Sequence, residues 1–220
     1  MIGPTGALSL PLFFDALAIT VGALSGALYA TRKGFDIIGT LAVAFATGLG
    51  GGVIRDIVLV RGTPAFLTNP SYLMFAVAGS VIGFLFARRA RTWQFAYDAL
   101  DVAALGVWVV IGCQKAFAAG LPGIGVLFVG VLASVGGGLL RDLLCGDVPS
   151  ALRPGQWYAF AAFMGAVTFV SMAALGAPSL MTEMLTLIVA ALFRWSAARY
   201  APSMKPMDIT ARWRRSSASA

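Results

Sequence analysis

The chain has 220 residues, of which 59% are hydrophobic and only 11% are charged, and its formal net charge is +7. Soluble domains carry about 25% charged residues, so this composition excludes an ordinary soluble enzyme, a disordered protein and a disulfide-rich secreted domain. It predicts an all-α membrane protein with several transmembrane helices, because the ten-residue alternation typical of a membrane β-barrel is not seen in the sequence.

Seven segments of the chain are long and apolar enough to cross a bilayer, which takes about 20 residues per helix. Short turns rich in glycine and proline separate most of them. Residues 1–200 are therefore predicted to form one transmembrane domain, and residues 201–220 a basic cytoplasmic tail without regular structure. The predicted helices span residues 11–30, 37–60, 71–87, 99–118, 123–145, 157–175 and 180–199.

The loops between these helices differ sharply in basic charge. Eleven lysines and arginines of the loops and tail fall on one side of the membrane, whereas only Arg61 falls on the other. The positive-inside rule then predicts an outside N-terminus and a cytoplasmic C-terminus, in agreement with an odd number of helices. The eleven residues are Arg32, Lys33, Arg88, Arg89, Arg91, Arg153, Arg199, Lys205, Arg212, Arg214 and Arg215.

A sequence repeat divides the chain into two halves. The motif Gly-Gly-Gly-x-x-Arg-Asp occurs at residues 50–56 and again at residues 136–142, an offset of 86 residues. The same offset aligns helices one to three, about residues 11–87, with helices four to six, about residues 99–175; the seventh helix lies outside the repeat. Because three is odd, the second copy must enter the membrane from the opposite side, and such inverted repeats place a transport path at their interface.

Each copy of the motif begins with a glycine triplet in the middle of a predicted helix. Glycine costs a helix about 1 kcal/mol per residue relative to alanine. The triplets therefore predict a kink, a close approach of two backbones, or carbonyls turned toward a cavity. We interpret them as kinks that bound an ion path. The glycines are Gly50, Gly51, Gly52, Gly136, Gly137 and Gly138.

Charged residues follow each triplet and are costly inside a bilayer unless they face water or a partner. Arg55 and Asp56 in the first copy correspond to Arg141 and Asp142 in the second. Two interpretations remain open: the four residues line a polar path, or they pair across the repeat interface and clamp two helices together. Adjacent residues on a helix point about 100° apart, so the Arg and Asp of one motif need not pair with each other.

Five further charges lie within the predicted helices, at Asp15, Asp101, Lys115, Glu183 and Arg194. Lys115 either snorkels to the outer surface or projects into the path and influences ion selectivity. Its position in the other repeat is occupied by Tyr29, so Lys115 has no charged counterpart there, and we interpret it as a charge that tunes the path. Arg194, close to the cytoplasmic end of the last helix, is interpreted as snorkelling to the surface.

Residues for enzymatic chemistry are scarce. The chain contains no histidine, and its two cysteines, Cys113 and Cys145, lie in or at the end of apolar stretches, where they are typical of core residues. No nucleophile motif, metal-ligand cluster or cofactor motif is recognised. The sequence therefore predicts a protein that is not an enzyme and that uses no cofactor, metal or nucleic acid.

Taken together, the doubled Gly-Gly-Gly-x-x-Arg-Asp motif and the seventh helix resemble the trimeric intracellular cation (TRIC) channel family, in its prokaryotic branch. The resemblance covers roughly residues 10–200, and shorter matches lie at 25–36, 112–116 and 146–149. It implies a homotrimer in the bacterial inner membrane. Each subunit would hold its own path, bounded by the kinked second and fifth helices, for potassium and less selectively sodium.

Related bacterial sequences are also grouped as glycine transporters, so a small-solute secondary transporter is the alternative. A chain of 220 residues leaves little material for two gates and rocking domains, which favours a channel.

Overall fold

The computed structural model of the protein describes residues 12–60, 62–89, 94–153 and 157–200, in which eight α-helices are present. Arg61, Arg91 and the predicted tail at 201–220 lie outside these ranges. The helices are α1 (Leu12–Arg32), α2 (Ile37–Val58), α3 (Ala65–Thr68), α4 (Pro70–Arg89), α5 (Gln94–Ala118), α6 (Gly123–Leu144), α7 (Tyr158–Ala174) and α8 (Ser179–Tyr200).

Seven of these helices correspond to the seven predicted segments, which confirms the all-helical fold class. By length and composition, α1, α2, α4, α5, α6 and α8 can each cross a membrane, whereas α7 is apolar but only 17 residues long. The short helix α3 was not predicted, and α5 begins at Gln94, five residues before its predicted start.

Local sequence signals place the helix ends. The side chain of Asp36 caps α2 by accepting a hydrogen bond from the backbone N–H of Gly39 at 2.7 Å. Beyond the ends of α1 and α5, Gly34 and Gly120 adopt positive φ angles of 84° and 77°, which glycine reaches without a steric penalty. These two glycines are 86 residues apart, so the two repeats end their first helix in the same way.

The helices form two bundles that correspond to the two repeats. Helices α1, α2 and α4 pack together in the first, and α5, α6 and α7 in the second, while α8 packs on α5 and α7. Two apolar cores are present: one includes Ala161 and Ala162 of the second bundle, and the other includes Ala23 and Ala27 of the first bundle together with Trp108 of α5. Helices α2 and α6 form the main contact between the repeats.

The glycine triplets lie in this contact between α2 and α6. A Cβ atom on Gly51 would overlap the backbone carbonyl of Ala133, and one on Gly137 would overlap the carbonyl of Thr47. Thr47 and Ala133 are themselves 86 residues apart, so the same contact occurs twice, as a two-fold relation between the repeats requires. Both helices continue through the triplets, which here allow a close approach of two backbones.

Candidate functional site: two charged clusters

Charged side chains and the tyrosines that contact them form two largely buried clusters, one at the C-terminal end of α2 and one at the C-terminal end of α6. The first cluster consists of Asp15, Arg55, Asp56, Tyr72 and Lys115. The second cluster consists of Tyr29, Asp101, Arg141, Asp142, Tyr158 and Arg194.

In the first cluster, Arg55 pairs with the residue that follows it in the chain. The side chain of Arg55 is 2% exposed, and its Nε and Nη2 donate to Oδ1 of Asp56 at 2.9 and 2.7 Å. The other carboxylate oxygen of Asp56 accepts a hydrogen bond from the backbone N–H of Ala65 at 3.1 Å. The ion pair therefore also ties the loop after α2 to the end of that helix.

Asp15, the other acidic residue of the first cluster, connects three helices. Asp15 of α1 accepts hydrogen bonds from Nζ of Lys115, on α5, at 3.0 and 3.3 Å and from the hydroxyl of Tyr72, on α4, at 2.7 Å. Its side chain is 8% exposed. Lys115 belongs to the second repeat, so this ion pair crosses from one repeat to the other.

A cavity opens between these side chains. It is small, with room for about one water molecule, and it is partly open to the outside. Asp15, Arg55 and Asp56 provide its charged wall, while apolar side chains that include Trp108 provide the remainder. Gly52, alone among the six motif glycines, lines this cavity.

In the second cluster, Arg141 bridges two acidic residues. Its Nε donates to Asp142 at 2.8 Å and its Nη1 donates to Asp101 at 3.0 Å. Arg194 of α8 also donates to Asp101, at 3.2 Å. The carboxylate of Asp142 further accepts hydrogen bonds from the backbone and hydroxyl of Ser150 at 2.7 and 2.8 Å, which matches the role of Asp56 in its own loop.

Aromatic rings complete the second cluster. The guanidinium of Arg141 lies 4.9 Å from the centre of the Tyr29 ring, and that of Arg194 lies 5.0 Å from the centre of the Tyr158 ring. Both distances suit a cation–π interaction. Tyr29 comes from α1, so the second cluster also receives a residue from the other repeat.

Helices α1 and α5 each contribute one residue to both clusters, and they run from one cluster to the other in opposite directions. Helix α1 places Asp15 in the first cluster and Tyr29 in the second, whereas α5 places Asp101 in the second and Lys115 in the first. Each pair is separated by fourteen residues of helix, or about 21 Å at a rise of 1.5 Å per residue. The clusters therefore lie toward opposite ends of the helices, as expected for inverted repeats.

Asp147, in the loop between α6 and α7, joins this loop to the end of α1. It accepts hydrogen bonds from Nζ of Lys33 at 2.7 Å and from the hydroxyl of Tyr29 at 2.6 Å, and Arg153 lies 3.9 Å away. The hydrogen bond from Lys33, followed by that from Tyr29, lowers the pKa of Asp147 below its usual value. The loops after α1 and α6 consequently lie at the same end of the molecule, as the charge pattern predicted.

The structure shows which partners these charges have. Arg55 pairs with Asp56, and Arg141 pairs with Asp142 and with Asp101 of the same repeat, so these ion pairs do not cross the repeat interface. Lys115 is paired with Asp15, which lies far away in the sequence but one helix away in space. Arg194 pairs with Asp101 and is 13% exposed, so it does not snorkel.

Sequence reasoning missed the tyrosines of both clusters. Tyr72 and Tyr158 are 86 residues apart, and this equivalence was the available signal. Their contacts nevertheless differ, because Tyr72 donates to an acid and Tyr158 stacks against an arginine.

Comparison with known proteins supports both the repeat and the fold. The family model described as "Glycine transporter" matches residues 12–88 and 98–174, two ranges that are again offset by 86 residues. The chain is 37% identical to a UPF0126 membrane protein of Deinococcus radiodurans over 155 residues, which are 70% of this chain and 72% of that protein. It is 31% identical to the UPF0126 inner membrane protein YadS of Escherichia coli over 190 residues, 86% of this chain and 91% of that protein.

Solved structures with the same fold are cation channels. The TRIC trimeric intracellular cation channel orthologue from Rhodobacter sphaeroides has a TM-score of 0.81 at 32% identity, over 86% of this chain and 97% of that chain. Another structure, solved to explain conductance through TRIC cation channels, has a TM-score of 0.81 at 28% identity, over 91% and 98% of the two chains. The chain belongs to the UPF0126, or glycine transporter, family, and its fold is that of the prokaryotic TRIC channels.

These matches are to transport proteins and not to an enzyme family. The protein is therefore a multi-pass membrane protein of a channel or transporter family, and the resemblance to TRIC channels is confirmed at the level of family and fold.

Proposed function

We propose that the protein is a potassium-permeable channel for monovalent cations, assembled as a homotrimer in the bacterial inner membrane with one ion path in each subunit. The observation that carries this proposal is the near-complete structural likeness to cation channels. The N-terminus lies outside and the C-terminus in the cytoplasm, because the basic loops favour this orientation.

The ion path is bounded by α2 and α6 and includes the cavity at the end of α2. Two carboxylates, Asp15 and Asp56, lie on the cavity wall and attract cations, while Arg55 and Lys115 balance their charge. In a medium of low dielectric constant, a fixed charge strongly affects an ion a few ångströms away. The four Arg and Asp residues of the motifs hold the ends of α2 and α6, and the glycine triplets let these helices meet.

Lys115 tunes this path, because it neutralises Asp15 at the cavity. Replacing Lys115 with alanine leaves Asp15 negative beside the path, and we expect a larger cation current. Lys33→Ala is a matched control, since it also removes a lysine from a Lys–Asp pair but does so in a loop, where the lysine side chain is 40% exposed.

Single-channel recording of the purified protein in planar bilayers tests the proposal. Discrete current steps, with a reversal potential that follows a potassium gradient, are expected from a channel. Saturable uptake of labelled glycine into proteoliposomes without such steps would instead support a secondary transporter, the function that the description of the family model favours.

A further inference from the structure

The two charged clusters use equivalent residues but make different connections. In the second repeat, the Arg141 guanidinium donates through Nε to Asp142 and through Nη1 to Asp101. In the first repeat, Arg55 donates through Nε and Nη2 to Asp56. Its Nη1 has no hydrogen-bond partner among the described residues, although the atom is fully buried.

Asp15 could provide the second carboxylate that Arg55 lacks and that Arg141 has in Asp101. Asp15 is the repeat equivalent of Asp101, and Asp15 and Arg55 line the same cavity. Asp15 is held instead by Lys115 and Tyr72. The residue equivalent to Lys115 beside the second cluster is Tyr29, whose hydroxyl donates to Asp147, and Asp101 accepts hydrogen bonds from Arg141 and Arg194.

Leaving a buried guanidinium N–H without an acceptor costs free energy. A hydrogen bond from Nη1 of Arg55 to the carboxylate of Asp15 would remove this cost. The loss of the hydrogen bonds from Lys115 opposes that change. The two arrangements of Asp15 are therefore competing states of one site, and the second repeat displays the arrangement that the first repeat lacks.

We propose that Asp15 is a switch residue whose carboxylate exchanges between Lys115 and Nη1 of Arg55. In the state described here, Asp15 connects α1 to α5 and so joins the two repeats at this end. In the other state it connects α1 to α2 within the first repeat, as Asp101 connects α5 to α6, and Lys115 is released. The exchange itself does not depend on the proposed ion path. Its effect on the cation current does, because the exchange gives the wall of the cavity two different arrangements of charge.

A crystal structure of the Lys115→Tyr variant tests the exchange directly. The substitution places at position 115 the residue found at the equivalent position of the first repeat, and it removes the cation that holds Asp15. We expect Asp15 to move to Nη1 of Arg55, at about the 3.0 Å that separates Arg141 and Asp101. A structure in which Asp15 stays on Tyr72, with water on Nη1 of Arg55, overturns the proposal. Lys33→Ala is the control and should leave Asp15 in place.

Tyr72→Phe provides a second test that keeps every charge and is less prone to misfold. It removes one of the hydrogen bonds that hold Asp15, and a hydrogen bond to a charged group shifts such an equilibrium by about tenfold or more. A double-mutant cycle of Asp15→Asn with Arg55→Lys, followed by thermal unfolding, measures the contact, because lysine keeps the charge and loses Nη1. A coupling constant between Asp15 and Arg55 that rises about tenfold in the Tyr72→Phe background supports the exchange. The same coupling constant in both backgrounds overturns it.

Bilayer recordings on the same variants separate this inference from the proposed function. Exchange of Asp15 without any cation current contradicts the ion path and leaves the switch intact. Cation current without exchange in either variant contradicts the switch and leaves the channel intact.

Discussion

At the scale of single residues, the glycine triplets are required by the contact between α2 and α6. Gly51 and Gly137 lie where a Cβ atom would overlap a backbone carbonyl of the opposite helix. A backbone atom cannot rotate away as a side chain can, so these positions exclude even alanine without a shift of the helices.

Gly51→Ala should therefore destabilise the protein by about 1–3 kcal/mol through overpacking, despite the preference of helices for alanine over glycine. Gly52→Ala is the matched control, because the nearest atoms to its Cβ would belong to side chains, Trp108 at 3.3 Å and Arg55 at 3.8 Å, and not to the backbone of the opposite helix. Thermal unfolding in detergent measures both variants. Equal losses of stability would contradict a specific role for the contact at Gly51.

Val60 is one of two described non-glycine residues with a positive φ angle, the other being Trp157. It has a φ of +52° and follows α2, while the equivalent residue in the second repeat is Gly146, with a φ of +71°. The left-handed region costs a non-glycine residue about 1–2 kcal/mol. Val60 is 87% exposed, so its side chain adds little packing in compensation.

Val60→Gly is expected to stabilise the protein by up to about 1 kcal/mol, since relief of strain exceeds the added entropy of glycine in the unfolded chain. The reciprocal variant Gly146→Val should lower the melting temperature. Differential scanning fluorimetry measures both changes, and a loss of stability in Val60→Gly would show that the valine side chain matters more than its backbone conformation.

At the scale of secondary-structure elements, Asp147 joins the end of α1 to the loop between α6 and α7. Hydrogen bonds from Lys33 and Tyr29 lower the pKa of Asp147. A carboxyl group whose pKa is lower in the folded state adds stability above its unfolded pKa, and this stability is lost as pH falls through the folded value.

Asp147→Asn should lower the melting temperature slightly at neutral pH, since an exposed ion pair contributes at most about 1 kcal/mol. The difference from the wild type should shrink as the pH is lowered through the reduced pKa of Asp147, because the wild-type carboxylate is then protonated as well. Melting curves from about pH 7 to about pH 3 measure this trend. A difference independent of pH would mean that the charge of Asp147 contributes nothing.

The elements themselves follow from local sequence, with one exception. Long apolar segments bounded by glycine, proline and a capping Asp36 identify the helices, because each signal acts within a few residues. Helix α3 covers only residues 65–68. A helix this short has no periodic apolar pattern, and its first N–H is tied to the side chain of Asp56, a contact that exists only after folding.

At the scale of the whole molecule, the two repeats place equivalent residues at opposite ends. Gly34 and Gly120 both follow the first helix of their repeat. Reporter fusions at these two positions should therefore give opposite locations, with Gly34 in the cytoplasm and Gly120 outside. A fusion in the loop at Asp147 should agree with Gly34, because Lys33 and Asp147 are in contact. The same location for Gly34 and Gly120 would contradict the inverted topology.

The sequence by itself determined the membrane class, the seven long helices and the repeat, because composition, segment length and a constant offset are properties of the linear chain. The same offset identified Arg55 with Arg141 as equivalent residues, and this equivalence pointed to the site. It did not identify their partners.

Only the tertiary structure decided which charges meet. Lys115 reaches Asp15 and Arg194 reaches Asp101 across about a hundred residues of chain, since helix packing and not sequence distance brings them together. Equivalent residues also have different partners, because Lys115 of one repeat corresponds to Tyr29 of the other. The ammonium group of Lys115 binds Asp15, whereas the equivalent Asp101 is bound by Arg141. That asymmetry depends on side chains from both repeats at once, and it appears only when the two halves are packed together.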